Sequence, residues 1–444
     1  MYSKKITQFI SSIPKKYIII VSWTMWLFVL FSIIFARPFV GLNLFGYLIG
    51  ELAVGGLFLA SIIFMILPNA IFQNIEIKLL VFFKIIVFLF FFTVLYTQSN
   101  LLTTYTYKAS SYIWTMVIFF VGYYVLYDFS PNKAANKIIL LILPYTYLIS
   151  TGNYPDFLIN FFKENSDKFQ FIKASDLAIG LFVTLLLVNK NNKNKRFTLF
   201  YTLCSISVFI PVMLFNSRGS IIALIIFATL FCLYEYEIIA SNKIFSLGVF
   251  LFSLILFFSS AYRVYGNLDF YKEPESMNIA NISEAVSGIV KNKDTSKVFL
   301  SFYIQDGYLM SWDATTDWRL DIWQDVFYDL KQKRMLTTGY GYSEIIPVML
   351  DPTAPGRLGR DGLNENVHNY FVNILARGGV SQLTVFLIFY VFLIRQYKIK
   401  HGNYKILVLI LPTFLLSSLD VTMEGVHFPF IFFSYLGYSL REGI

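Results

Sequence analysis

The sequence predicts an all-α polytopic membrane protein with about 12 transmembrane helices and one large, partly helical loop outside the membrane. The first observation is composition: 57% of residues are hydrophobic and 19% aromatic, but only 14% are charged, against roughly 25% charged in soluble proteins. The second is that apolar residues recur in runs of about 15 to 24, long enough to cross a hydrocarbon core about 30 Å thick. The third is the position of the positive charge, described below.

Twelve apolar runs are the predicted spans. They lie at residues 17–35, 44–67, 78–96, 110–128, 137–150, 174–188, 197–215, 220–236, 245–262, 379–396, 404–419 and 426–439. The first run follows several lysines, as in a signal peptide. It is too long for a signal sequence and no small-residue cleavage site follows, so we predict a retained first helix.

The distribution of charge predicts the orientation. The net charge is +9, but residues 263–367 carry −4 and the remainder carries +13. The positive excess lies in short loops such as "NKNNKNKRF" and "RQYKIKHGNYK", which the positive-inside rule places in the cytoplasm. This pattern favours membrane topology over nucleic-acid binding. It divides the chain into helices 1–9 (1–262), a large outer loop (263–367) and helices 10–12 (368–444).

The outer loop contains one predicted amphipathic helix, "TTDWRLDIWQDVFYDLKQK". Apolar residues recur there at three- and four-residue spacing, and the spacing of Asp313, Asp317 and Asp321 suits a solvated helix face rather than a metal site. Four aspartates form an acidic row at i, i+4 spacing. The aspartates are Asp317, Asp321, Asp325 and Asp329. A glycine-rich turn, "TTGYGYSE", and an irregular Pro/Gly-rich stretch follow. We expect this loop to act as a lid on the membrane domain.

His368 is the first candidate for chemistry. The stretch "ENVHNYFVNILARGGV" places it, followed by Asn369, where the outer loop enters an apolar run. An imidazole with an ordinary pKa near 6.5 can take a proton from a hydroxyl group. The alternative is an interfacial histidine bonded to a loop carbonyl. Metal binding is disfavoured because neither His401 nor His427 follows at ligand spacing.

Two arginines are candidate anion-binding residues. Arg218 lies in "FNSRGSIIAL", in the predicted outer turn between helices seven and eight, with Ser217 beside it. A guanidinium can bind phosphate oxygens bidentately, but the side chain could also snorkel to the interface. Arg319 lies on the apolar side of the amphipathic helix. It either pairs with an aspartate one turn away or faces the same anion as Arg218.

Asp420, in "LLSSLDVTMEGVHF", lies at the predicted outer end of helix eleven. It could orient a base, hydrogen-bond a sugar or cap helix twelve. Two arginines and a histidine around one outer loop, with no evident metal motif, indicate a pocket for a lipid-borne polyanion that reacts with a hydroxyl. Arginines can neutralise a pyrophosphate leaving group without a metal ion, so we expect no cofactor.

These motifs resemble those of the O-antigen ligase family of bacterial envelope glycosyltransferases. The resemblance is best over about 200–440. It rests on "NSRGSIIAL", on the Arg-Leu pair of "DWRLDIWQDV", on the His-Asn pair of "VHNYFVNILARGGV", and on "LSSLDV", which has one extra Ser-Leu register. The "TGYGY" turn before the histidine also fits.

The resemblance implies a GT-C-like, multi-pass protein of the bacterial inner membrane whose active site faces the periplasm. Arg218 and Arg319 would bind the pyrophosphate of an undecaprenyl-linked glycan, and His368 would act on the acceptor, a lipid A-core sugar. Supporting roles would fall to Asn369, Ser217 and Asp420. The implied partners are this donor, this acceptor and the phospholipid bilayer, with no metal, nucleotide or nucleic acid.

Related activities share these motifs. O-antigen and exopolysaccharide polymerases use the same donor chemistry with a different acceptor, and some protein O-oligosaccharyltransferases are also similar. The single large loop late in the chain favours a ligase. A flippase for lipid-linked sugar is disfavoured, because such a protein would carry charged residues through the membrane interior, where this sequence has few.

Overall fold

The structure is a computed structural model. It describes residues 15–66, 77–126, 133–153, 155–167, 173–266, 268, 301–354, 356–358, 362 and 365–444. Over these ranges the chain is mostly helical, and its strands form two short antiparallel hairpins. The predicted mostly helical class is confirmed.

The helices and strands follow in chain order. The helices are α1 (Lys15–Phe35), α2 (Arg37–Val40), α3 (Ile49–Ile66), α4 (Ile77–Tyr96), α5 (Thr104–Ala109), α6 (Ser111–Trp114), α7 (Val117–Val125), α8 (Lys133–Ser150), α9 (Asp156–Asn165), α10 (Ala174–Asn191), α11 (Lys195–Asn216), α12 (Arg218–Tyr234), α13 (Tyr236–Ser241), α14 (Lys243–Tyr265), α15 (Ala314–Gln332), α16 (Tyr370–His401), α17 (Leu407–Leu419) and α18 (His427–Glu442). The strands are β1 (Asn43–Leu44), β2 (Tyr47–Leu48), β3 (Phe302–Gln305) and β4 (Tyr308–Ser311), and a 3₁₀ turn covers Pro347–Leu350.

Within the described ranges, six helices are long and apolar enough to cross a membrane, namely α3, α4, α10, α11, α14 and α16. Shorter apolar helices occur at Ile19–Phe35, Ser111–Tyr124, Ile138–Ser150, Arg218–Tyr234 and Leu407–Leu419. These helices match predicted spans, and they support a multi-pass membrane protein. The count of twelve spans and the side of the large loop stay predictions.

The helix that contains the tenth predicted span begins earlier than the apolar run. We predicted residues 379–396, but α16 starts at Tyr370. The run of apolar residues starts late because Arg377 and two glycines interrupt it. The Arg377 side chain is nevertheless buried, where it donates to the Tyr105 hydroxyl at 2.9 Å and to the carbonyl oxygens of Gly341 and Glu344.

A kink at Gly379 joins α16 to the turn that precedes it. Gly379 has φ +69°, and a Cβ atom there would lie 2.2 Å from the Thr337 carbonyl oxygen, so glycine is required. The turn donates two backbone hydrogen bonds into the kink, from Tyr340 to Ala376 (2.8 Å) and from Gly341 to Arg377 (3.1 Å). The "TTGYGY" turn is therefore fixed directly to a membrane helix.

The predicted amphipathic helix is α15, and its apolar face forms a small separate core. Trp318, Ile322, Val326 and Leu330 lie in one buried cluster with Ile346, Val348, Met349, Val367 and Ala376. Since Ala376 belongs to α16 and Val367 directly precedes His368, this cluster positions the start of α16.

The expected solvated face of Asp313, Asp317 and Asp321 is confirmed for Asp321, which is 52% exposed, but not for Asp313, which is buried. Asp321 and Asp325 both accept from Arg357, whose side chain is only 2% exposed. Asp329 accepts from the Tyr340 hydroxyl at 2.6 Å, and Asp317 accepts a backbone amide hydrogen at 2.7 Å. The acidic row of α15 thus also binds the segment that contains Arg357. Helical periodicity gives no sign of a partner that lies more than 30 residues away.

Helices α7 and α18 approach each other very closely. A Cβ atom on Gly437 would lie 2.0 Å from the Phe119 carbonyl oxygen, and one on Gly122 would lie 2.5 Å from that of Ser434. Small residues at a helix crossing allow such an approach in membrane proteins.

We expect Gly437→Ala to lower the free energy of unfolding by about 1–3 kcal/mol, because the added methyl group overpacks this crossing. Thermal unfolding in detergent measures the effect. Gly55→Ala on α3 is the matched control, since a Cβ atom there would meet nothing within 4 Å. Equal unfolding temperatures for the two variants would contradict the close packing of α7 on α18.

Candidate functional site

The loop between α17 and α18 is the centre of the candidate site. Its first residue, Asp420, accepts a hydrogen bond from the Ser175 hydroxyl at 2.7 Å and another from the Val421 backbone amide at 2.8 Å. The expectation that Asp420 caps helix twelve is wrong. Asp420 follows the last residue of α17, whereas α18 begins at His427. Its carboxylate is therefore directed by α10 rather than by the helix that follows.

Two other helices hold the same loop by its backbone. Arg37, the first residue of α2, donates to the Val421 carbonyl oxygen at 3.3 Å. The Ser111 hydroxyl of α6 donates to the Glu424 carbonyl oxygen at 2.9 Å. These contacts fix a segment with no regular secondary structure.

A buried histidine–aspartate pair holds the far end of the loop. His427 Nε2 lies 2.9 Å from Asp176 Oδ1, and both side chains are at most 5% exposed. Because Asp176 follows Ser175 on α10, one helical turn contacts both ends of the loop.

Ser217 and Arg218 lie where one helix gives way to the next. Ser217 is the only residue between α11 and α12, and its hydroxyl accepts from the Ser220 backbone amide at 3.4 Å. This cap makes Arg218 the first residue of α12, where the unpaired amides and the helix dipole favour an anion. The predicted turn is confirmed.

This turn packs beside the central loop. A Cβ atom on Gly219 would lie 3.0 Å from the Leu419 side chain, which directly precedes Asp420. The half-exposed Arg218 Nη1 lies 3.4 Å from Asp313 Oδ2, and Asp313 also caps α15. The first turns of α12 and α15 are thus joined through one carboxylate.

Arg319 lies on the second turn of α15. Its Nε atom is enclosed and has no hydrogen-bond partner among the described residues. Burial lowers the pKa of Arg319, whereas Asp420 and Asp313 raise it. In the described part of the chain we find no salt bridge to an aspartate one turn away, so the geometry favours the second alternative, an arginine that faces the common site.

His368 is buried in a constrained conformation. Its φ is +53°, in the left-handed region, which costs on the order of 1–3 kcal/mol outside glycine. The surroundings hold it there: the Trp318 ring packs edge-on at 5.2 Å, and Trp323 Nε1 donates to the Val367 carbonyl oxygen at 2.7 Å. Asn369 then caps α16 by accepting two backbone amides at 3.0 and 3.1 Å.

Burial and positive charge keep His368 neutral. Burial, followed by the Arg319 guanidinium, lowers the pKa of His368 to about 3. Lys173 and Arg37 lower it further, whereas Asp420 acts in the opposite direction. At neutral pH the imidazole therefore has a lone pair available for a proton.

Two carboxyl groups of the central loop differ in charge. Burial raises the pKa of Asp420, but Lys173, the Ser175 hydrogen bond and Arg37 lower it more, so Asp420 stays ionised. Burial, and then Asp420, raise the pKa of Glu424 to about 7. Asp420 is thus the fully charged acid of the loop.

The structure brings together most of the residues singled out in the sequence. Arg319, His368 and Asp420 interact electrostatically. Arg218 contacts Asp313, whose charge also acts on Arg319. Ser217 and Asn369 act as helix caps. Sequence reasoning missed four participants: Arg37, Lys173, Asp176 and His427. Each lies at an end of an apolar run, a position that could have identified it. Among the described residues no three His, Cys, Asp or Glu side chains form a group that could hold a metal ion.

Fold and site together define a multi-pass helical membrane protein with a cationic cluster at one end of its helices. Residues 202–387 match the family model for O-antigen ligase. This match identifies residues 202–387 as an O-antigen ligase family region, and the family covers glycosyltransferase-like ligases and related polymerases acting on lipid-linked glycans. The matched part contains Arg218, Arg319 and His368. No curated protein matches the chain significantly.

Proposed function

We propose that the protein is an O-antigen ligase. It transfers an undecaprenyl-pyrophosphate-linked polysaccharide to a sugar hydroxyl of the lipid A core, at the periplasmic face of the inner membrane and without a metal ion. One observation carries the proposal: a buried, neutral His368 lies within electrostatic range of Arg319, whose Nε has no hydrogen-bond partner among the described residues, inside the part of the chain that matches the family.

The arginines bind the pyrophosphate in this proposal. The Arg218–Asp313 contact of 3.4 Å is longer than the 2.7–2.9 Å typical of charge-assisted hydrogen bonds, so a phosphate can displace it. Arg319 interacts electrostatically with the same Asp313 and with Asp420, and its Nε has no hydrogen-bond partner among the described residues. Fixed donors of this kind stabilise the charge that develops on a leaving phosphate.

His368 takes the proton. The acceptor oxygen attacks the anomeric carbon, the bond from that carbon to the phosphate oxygen breaks, and undecaprenyl pyrophosphate leaves with the electron pair. The proton of the acceptor hydroxyl passes to the neutral imidazole. Bound pyrophosphate adds negative charge beside His368, which raises its pKa and makes it a stronger base.

We also propose that residues 1–262 and 368–444 form the membrane part, with residues 263–367 as a periplasmic lid. The separate hydrophobic core around α15 supports this division. Asn369, Ser217 and Asp420 support the reaction by holding His368, Arg218 and the central loop in place.

We expect His368→Ala, Arg319→Ala and Arg218→Ala to abolish glycan transfer, since loss of an acid–base group alone costs about 10²–10⁴-fold in rate. Arg218→Lys is also severely impaired, because lysine cannot bind phosphate bidentately. The measurement uses purified protein, lipid-linked donor and lipid A-core acceptor in EDTA.

Lys108→Gln is the control for these variants, because Lys108 is 64% exposed and pairs with Glu365 outside the site. Full activity of purified His368→Ala would falsify the catalytic assignment. Loss of wild-type transfer on adding EDTA would contradict the metal-free reaction.

The lowered pKa of His368 has a consequence for pH dependence. We expect kcat/KM to show no acid limb from His368 between pH 8 and pH 5, because this ratio reports the free enzyme, in which the imidazole stays neutral down to about pH 3. Glu424, with a pKa of about 7, can add a limb of its own. Profiles of kcat/KM against pH for the wild type and for Glu424→Gln separate the contributions of His368 and Glu424. An acid limb at pH 6–7 that persists in Glu424→Gln contradicts the assignment.

A polymerase is the second candidate, because the family includes related polymerases that use similar donors. Lipopolysaccharide from a deletion strain distinguishes the two activities. We expect lipid A core without any polymer, together with long lipid-linked chains that accumulate. Core that carries a single repeat unit would show a polymerase instead.

A further inference from the structure

Lys173 lies two residues before Ser175, which binds Asp420, and the charges of Lys173 and Asp420 interact electrostatically. It immediately precedes α10, in an extended conformation, and its side chain makes no capping hydrogen bond. Ser175, two residues on, binds the Asp420 carboxylate at 2.7 Å, and the next residue, Asp176, binds His427. Lys173 therefore directly precedes the helical turn that binds both ends of the central loop.

The ammonium has no direct partner in the described part of the chain, where it forms neither a salt bridge within 4.0 Å nor a hydrogen bond. Asp420 is the charge that acts most strongly on the Lys173 ammonium. The Asp420 carboxylate, however, already accepts hydrogen bonds from the Ser175 hydroxyl and from the Val421 amide. Burial lowers the pKa of Lys173, as expected for a cation removed from much of its water.

Arg37 is the alternative cation at this position, and its role differs. Its guanidinium donates to the Val421 carbonyl oxygen and so holds the loop backbone. Neither Lys173 nor Arg319 forms a salt bridge or a side-chain hydrogen bond among the described residues, and their charges act on each other. Two unpaired cations that repel each other in a partly buried site are costly unless an anion joins them.

We propose that Lys173 is a donor-binding residue, whose ammonium binds the second phosphate of the lipid-linked pyrophosphate while Arg319 binds the first. This proposal rests on the proposed function. A pyrophosphate that links a lipid to a sugar carries one negative charge on each of two adjacent phosphates, and two neighbouring cations match this pattern. Lysine suits one of these positions because it binds phosphate as a point charge.

The experiment measures binding of undecaprenyl pyrophosphate and of undecaprenyl phosphate to the purified full-length protein. We expect the wild type to prefer the pyrophosphate by about tenfold or more, the effect of one charge-assisted hydrogen bond. Lys173→Gln loses this preference, because its affinity for the pyrophosphate falls to that for the monophosphate. Lys173→Met, which keeps the length of the apolar stem, gives the same result, and Lys173→Arg retains the preference.

The matched control is Lys108→Gln, which should leave both affinities unchanged. Thermal unfolding shows that each variant is folded, and a misfolded Lys173→Gln is replaced by Lys173→Met. If Lys173→Gln and Lys173→Met both keep the wild-type preference for the pyrophosphate while Arg319→Gln binds it more weakly, Lys173 does not bind the second phosphate. The proposed function would then still stand. If the wild type binds neither lipid, both proposals are wrong.

Discussion

Burial of the Asp420 carboxylate at the end of the helices is the constraint on which the candidate site depends. A carboxylate removed from water requires hydrogen bonds and opposite charge. Ser175 and the Val421 amide supply the hydrogen bonds, and Lys173 and Arg37 lower its pKa electrostatically. One anion thus explains why several positive groups converge on a short, irregular loop.

The same arrangement determines the state of the base. His368 could share a proton with Asp420, but burial and then the nearby positive charges, above all Arg319, oppose this and hold the imidazole neutral. The arrangement requires Arg319 and His368 to be fixed relative to each other. Trp318, beside Arg319 in the chain, packs against His368, and the core of α15 includes Val367 and Ala376 on either side. Packing and electrostatics therefore depend on the same small cluster.

The sequence predicted the parts of the structure that have a local signal. Apolar runs of sufficient length located the membrane helices, and polar residues where such runs begin identified Arg218, His368 and Asp420. Lys173 and Asp176 escaped because their significance lies in contacts across the chain: Ser175 and Asp176 bind residues about 250 positions away. Periodicity also gave no sign that Arg357 pairs with the acidic row of α15, since it shows which residues share a face but not which distant residues contact that face.

In the proposed reaction, donor binding and proton transfer are coupled through the same charges. Before the donor binds, burial and the nearby cations make His368 a weak base, so the site is poorly prepared to activate water or a stray hydroxyl. The pyrophosphate neutralises those cations, and the basicity of His368 rises because the charges that lowered its pKa are now compensated. A site built this way activates an acceptor hydroxyl only when a glycan is in place to receive it, a useful property for an enzyme whose donor is an activated lipid.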